Sequence, residues 1–200
     1  MNKLASIFYL MGQGIPTSDV DIIDRRRVED SVRKVYSPKK NGWVIRCGKH
    51  PDLRDKPERR LPWHVCSSFD EMTKVVIDFY NEIGNNYYVF VHPQREMNKS
   101  GNLIIYGDRC VIEAVQGWPE GLSHGKENPL AVYTFCSPSL FVAPLKIEGK
   151  HFLTSQELYN LGHQIERRLD YRELSLTEIV VIEFSISNQG EISAHDIHVN

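Results

Sequence analysis

Residues 111–126 run Val111-Ile112-Glu113-Ala114-Val115-Gln116-Gly117-Trp118-Pro119-Glu120-Gly121-Leu122-Ser123-His124-Gly125-Lys126, the most distinctive pattern of the chain. The stretch opens as a β-branched apolar strand and carries an acid, Glu113, to the mouth of a loop punctuated by Gly117, Gly121 and Gly125. Glycine there permits positive φ and lets backbone N–H groups approach an anion closely. It is not a P-loop: Gly121 to Gly125 is one residue too short, and Lys126 is followed by Glu127 instead of Ser or Thr. Composition alone reads the same residues as a strand and two turns.

Working outward, Asn102–Tyr106 and Cys110–Val115 flank Gly107-Asp108-Arg109, which predicts a hairpin. Strand-like segments recur at 131–136 and 140–147. Thr154 and Glu157 form a capping-box pattern, and Leu158, Leu161, Ile165 and Leu169 share one face of the helix that follows. Residues 179–186 and 191–194 read as paired strands around Asn188-Gln189-Gly190. In the first half, residues 3–11 suggest a helix stopped by Gly12, Gly14 and Pro16. Val28, Val32 and Val35 suggest an amphipathic helix within 19–36, and Trp43–Cys47 a strand. Gly48–Pro62 reads as a loop. Ser68 caps a helix with Met72, Val75, Val76 and Phe79 on one face, and Tyr87–Val91 is a strand rich in aromatic and β-branched residues. The result is a mixed α+β chain.

Composition narrows the classes. Two hundred residues, 41% hydrophobic and 25% charged, are ordinary for a globular protein, and a chain this long buries about 70% of its unfolded surface. The net charge of −2 gives no global argument for nucleic acid. Charge is nevertheless uneven: Arg25–Arg60 holds thirteen Lys or Arg against five Asp or Glu, a local net of +8. That tract suits an anionic partner, or acids elsewhere in the fold. Cys47, Cys66, Cys110 and Cys136 form no CxxC pair, so a reduced cytoplasmic protein with small buried thiols is expected. Cys47, His50, His64 and Cys66 offer a zinc-compatible ligand set, but the His64-x-Cys66 spacing is too tight for an ordinary finger. No run approaches ~18 apolar residues, which argues against a membrane span.

The 111–126 string, continued to Pro129 and Tyr133, resembles the ATP-binding domain of the phosphoenolpyruvate synthase and pyruvate phosphate dikinase family, a member of the ATP-grasp class. Weaker echoes follow in the same order. Lys3-Leu4-Ala5-Ser6 with Gly14-Ile15-Pro16 is similar to the family's N-terminal pattern, Val44-Ile45-Arg46-Cys47 to its VRSS, Ser100-Gly101-Asn102 to its SGV, and Val181-Ile182-Glu183-Phe184 to its DIEW. The resemblance implies an ATP-grasp-like α+β fold with two small lobes around a nucleotide cleft. An N-terminal lobe over 1–90 would carry basic phosphate-facing loops, and a C-terminal lobe over 91–200 the glycine-rich loop and terminal hairpin.

The resemblance also implies roles. Lys3 and Arg46 would contact ATP phosphates and serve catalysis, while Glu113, Gly117, Gly121 and Gly125 would surround the nucleotide. Glu183 would hold Mg2+, with Asp196 converging on the same cation from the paired strand. Three departures stand out: Val181 replaces the family's aspartate, Cys47 and Gly48 replace its two serines, and Asn2 replaces the glycine before Lys3. Three readings follow. The first is a Mg-ATP-binding phosphotransferase or ligase, acting on an acceptor domain or protein partner in trans, with homodimerisation compatible with its small size. The second is a catalytically impaired nucleotide-binding regulatory module. The third is a nucleic-acid-binding protein using the 25–60 tract, with Tyr36, Trp43 and Trp63 for stacking.

Overall fold

The computed structural model describes residues 2–38, 42–50, 52–53, 60–118, 122, 128–136, 144–170 and 178–199. The chain forms two compact units, Met1–Phe8 with Ser18–Arg95 and Tyr9–Thr17 with Glu96–Asn200.

The first unit is built on an antiparallel sheet in the order β1 (Asp21–Ile22), β4 (Tyr87–Pro93), β2 (Trp43–Lys49), β3 (Trp63–Cys66). Alternation along β2 divides its side chains between two layers. Trp43, Ile45 and Cys47 join Val89 and Val91 in a core with Val32 of α2 (Val28–Val35) and Met72, Val76 and Tyr80 of α3 (Phe69–Glu82). Arg46 and Gly48 lie on the opposite face, across the ladder from Phe90 and Tyr88. There Leu4 and Ile7 of α1 (Lys3–Gly12) pack on Phe90. Burying each large apolar side chain contributes roughly 1.5–3 kcal/mol. The expected Ser68 cap is present: its side chain accepts from the Glu71 N–H at 3.2 Å.

Two elements differ from the sequence expectation. The helix expected within 19–36 is confined to Val28–Val35, because the Asp24 carboxylate accepts the Arg26 N–H at 2.8 Å in a turn and the Ile23 N–H donates to the Val89 carbonyl at 3.0 Å. Side-chain and strand bonds there outcompete helix. Strand β3, in the stretch after the expected Gly48–Pro62 loop to which no element was assigned, pairs with β2 as a four-residue edge strand with mostly exposed side chains. So short an element carries almost no periodic signal.

The second unit holds a six-stranded antiparallel sheet ordered β10 (Ile192–Val199), β9 (Val180–Ile186), β5 (Lys99–Tyr106), β6 (Arg109–Gln116), β7 (Ala131–Cys136), β8 (Lys146–Gly149). The expected hairpin turns place Gly107 and Gly190 at φ 53° and 80°. One face is apolar: Leu103, Ile105, Ile112, Ala114, Tyr133, Phe135, Ile182 and Phe184 are all buried. Helix α4 (Ser155–Gln164) is tied to this layer. The Tyr133 hydroxyl accepts the Phe152 and Leu153 N–H groups at 2.8 and 2.7 Å, and Lys99 pairs with Glu157 at 2.8 Å. The Thr154–Glu157 capping box forms as the sequence predicts. Helix α4 gives way to a 3-10 turn at Glu166–Arg168, yet Ile165 and Leu169 stay buried as expected. Of the strand expected at 140–147, residues 140–143 lie outside the described residues and β8 spans Lys146–Gly149. No helix among the described residues is long and apolar enough to cross a membrane.

Candidate functional site

The face of the six-stranded sheet opposite its apolar layer carries a row of polar residues in register. Asp196 stands across from Glu183, Glu183 across from Asn102, and Asn102 across from Glu113. Directly opposed residues of an antiparallel ladder project to the same side. A bulge creates the first pair. The β9–β10 register shifts between Ala194 and Asp196, so His195 has no partner in the ladder and Asp196, not His195, opposes Glu183. A single inserted residue transfers every later side chain to the other face. His195 instead lies within hydrogen-bonding distance of the Ser185 hydroxyl, 2.6 Å from Nε2.

His198, two residues beyond Asp196, returns to the same side. Its Nε2 lies 3.5 Å from Asp196 Oδ2 and 3.9 Å from Glu183 Oε1. Ligand atoms of Glu183, Asp196 and His198 all fall within 4.8 Å of one another, and they form the one such His/Cys/Asp/Glu group among the described residues. Two carboxylates and an imidazole can hold a dication. The sequence placed Glu183 and Asp196 as convergent ligands and missed His198, although the Asp-x-His spacing on a strand was a usable signal.

Glu113 completes the row through Asn102, whose Nδ2 donates to Glu113 Oε2 at 3.4 Å. Gly117 adopts φ 71°, as a glycine-rich loop requires, but its backbone is already engaged. Its N–H donates to the Asn98 carbonyl at 2.9 Å, and its carbonyl accepts from the Ser100 hydroxyl. Gly121 and Gly125 lie outside the described residues.

The first unit assembles cations. Lys3 is the first residue of α1, and Asn2 caps that helix, its Oδ1 accepting the Leu4 and Ala5 N–H groups at 3.1 Å each. The Asn2 amide also donates to the carbonyls of His50 and Leu53. Arg46 projects from the β2 face that α1 covers. Gly48 makes the approach feasible, since a Cβ there would lie 2.8 Å from Leu4 Cβ. This accounts for the absence of a serine at that position. His92, across the ladder from Val44, reports the local field. Burial first, then the charges of Arg46, Lys3 and Arg95, hold its imidazole down to about 4 against the opposing Pro93 carbonyl, so it is neutral at pH 7. Lys3, Arg46 and Arg95 thus each lie within electrostatic reach of His92.

Other sequence candidates find ordinary roles. Cys47 and Cys66 are buried in the core without joining a ligand cluster among the described residues. Trp43 is buried too, with Tyr36 packed on it and on Phe69, leaving Trp63 as the exposed aromatic of the expected stacking trio. Within the basic tract, Arg25 bonds Asn85 and the Tyr80 carbonyl, and Arg33 pairs with Glu29 at 2.7 Å.

No protein-family model and no curated protein matches the sequence. Solved structures do match the fold. The biotin carboxylase domain of 2-oxoglutarate carboxylase from Hydrogenobacter thermophilus, in complex with MgADP, ADP and bicarbonate, aligns with TM-score 0.58 at 14% identity, over 100% of this chain and 39% of that one. The ADP complex of N5-carboxyaminoimidazole ribonucleotide synthetase gives 0.60 at 10% identity, over 98% and 45%. D-alanyl-alanine synthetase A from Vibrio cholerae gives 0.57 at 10% identity, over 96% and 52%. The chain therefore spans about half the length of these three enzymes or less. They are ATP-grasp enzymes, and this chain has the ATP-grasp fold.

Proposed function

We propose that the chain binds Mg-ATP and acts as a shortened ATP-grasp phosphotransferase or ligase on an acceptor held elsewhere, descended from the phosphoenolpyruvate synthase type of ATP-binding domain. The observation that carries this reading is the bulge-made convergence of Glu183 and Asp196 on one polar row of an ATP-grasp sheet. Two carboxylate oxygen donors side by side fit a hard dication. Asn102 Oδ1, buried and without a hydrogen-bond partner among the described residues, adds a neutral oxygen to the same row.

The residues divide the work. Lys3 supplies a point charge and Arg46 a forked donor, both suited to phosphate oxygens. Neutral His92 beside them does not compete for the anion. Glu183 and Asp196 hold Mg2+, whose charge offsets the phosphates when bound. The 1–90 segment then supplies phosphate contacts, and 91–200 supplies cation ligands with Glu113 and the 117–125 loop.

A second reading has its own support. Val181, where the family resemblance places an aspartate, stands on the polar face across from His198 and offers no ligand. Loss of that carboxylate favours a nucleotide-binding regulatory module with weak or no transfer.

Thermal denaturation with and without Mg-ATP tests both readings together. A ligand at a hundredfold excess over its Kd adds about 2.7 kcal/mol to the native state. No rise in Tm at millimolar Mg-ATP sinks both, whereas a rise seen with oligonucleotides alone, weakening with salt, favours nucleic acid instead. If Mg-ATP stabilises the chain, Arg46→Ala should weaken the shift and Glu183→Gln should remove its dependence on Mg2+. ATP turnover then separates transfer from binding.

A further inference from the structure

We propose that His198 is a nitrogen ligand of the Glu183–Asp196 cation site, and that this site takes a first-row transition dication of the Mn2+ class in preference to Mg2+. The inference rests on the reading above that Glu183 and Asp196 hold a cation, and it concerns which cation.

His198 Nε2 faces both carboxylates, at 3.5 Å from Asp196 and 3.9 Å from Glu183. Ligands of an octahedral ion with bonds of about 2.1 Å stand roughly 3–4 Å apart, so the three groups fit one ion with small side-chain movement. One further atom offers a donor to the same cation. Asn102 is 8% exposed, stands across from Glu183, and its Oδ1 is buried without a partner among the described residues. Buried polar atoms without partners are uncommon in native proteins, and this one lies in the row that holds both carboxylates. A metal bond at Nε2 selects the neutral tautomer with its proton on Nδ1.

The donor set decides the ion. Mg2+ requires near-ideal octahedral oxygen coordination and sheds water reluctantly, so an imidazole is a poor partner for it. Mn2+ accepts carboxylate, carbonyl and water oxygens, and the first-row dications beyond it bind imidazole progressively better. The competing role for His198 is a protonated counter-charge to the two carboxylates, in which case no metal–nitrogen bond exists.

Pulsed electron paramagnetic resonance of Mn2+ on the unmodified chain tests this. It is recorded with and without inorganic triphosphate, which occupies a phosphate site but carries no nitrogen. The expected result is bound Mn2+ with strong 14N modulation from a coordinated imidazole, and a Mn2+ affinity at least ~10-fold above that for Mg2+ by competition. His198→Ala should lose the modulation and bring the two affinities within about threefold of each other. Glu183→Gln should abolish binding of both ions. Bound Mn2+ without 14N modulation overturns the His198 assignment and leaves the cation reading standing. Failure of the unmodified chain to bind either ion overturns both. The decisive spectrum needs no variant, so misfolding of a substituted chain leaves the test intact.

Discussion

The basic cluster of the first unit and the acidic row of the second are assembled by different physics. Lys3 and Arg46 are positioned around His92 by packing: a capped helix rests on a strand because Gly48 leaves room for Leu4. Asp196, Glu183, Asn102 and Glu113 are aligned by backbone hydrogen bonds, with one bulge choosing the face. A cluster set by packing shifts gradually with side-chain volume. One set by register is all or nothing, because a one-residue slip exchanges the two faces.

Breaking the register should have the largest effect. Inserting an alanine between His195 and Asp196 slips the later residues by one position and turns Asp196 and His198 toward the apolar layer, a loss of about 3–5 kcal/mol from an uncompensated buried charge, read by chemical denaturation. Gly101→Val strikes the same ladder from within. A Cβ at that position would lie 2.0 Å from the Glu113 carbonyl oxygen and 2.9 Å from Phe184, so a loss of at least about 3 kcal/mol is expected. If either variant keeps wild-type stability, register is not what holds the acidic row.

His92 probes the basic cluster through pH. The unfolded chain takes up its proton near 6.5, while the folded one resists until about 4. Stability should therefore be full above pH 6.5 and decline as pH falls toward 4, by roughly 2–3 kcal/mol in total. His92→Gln should flatten that part of the profile, and an unchanged profile would mean that burial and the nearby cations do not depress this ring. Gly48→Ser is expected to cost about 1–3 kcal/mol by pushing α1 off the sheet. If instead it is neutral, helix and strand are not in tight contact. The smallest effect, about 1 kcal/mol, is expected for Asn2→Ala from loss of the cap, measured by Tm. That variant should also weaken any Mg-ATP stabilisation, since Lys3 begins the helix that Asn2 caps.

Much of the second unit was legible because its signals are local. The Gly107 and Gly190 turns, the alternation along Cys110–Val115 and the Thr154–Glu157 capping box each involve residues within a few positions of one another. Lys3, Arg46, Glu183 and Asp196 were named through family resemblance, and the convergence of Glu183 and Asp196 became visible only with the fold. His198 was missed because a lone histidine near a chain end has no local meaning until a ladder puts it beside two acids. Asn102 and His92 were missed for the same reason, and β3 because four exposed residues carry no period.

The amino-acid sequence by itself determined most of the elements, the Ser68 and Thr154 caps, the hairpin turns and the mixed α+β class, since these follow from short-range sterics and hydrophobic spacing. Only the tertiary structure decided which side chains share a face at β10. Ile192-Ser193-Ala194-His195-Asp196-Ile197-His198 alternates acceptably in either phase, and pairing with β9 selects the bulged one. It likewise decided that Gly48 serves a helix contact, because the atom that excludes a side chain there belongs to Leu4, distant in sequence. Long-range pairing and close packing are properties of the assembled chain, and they place the site residues that no local pattern could.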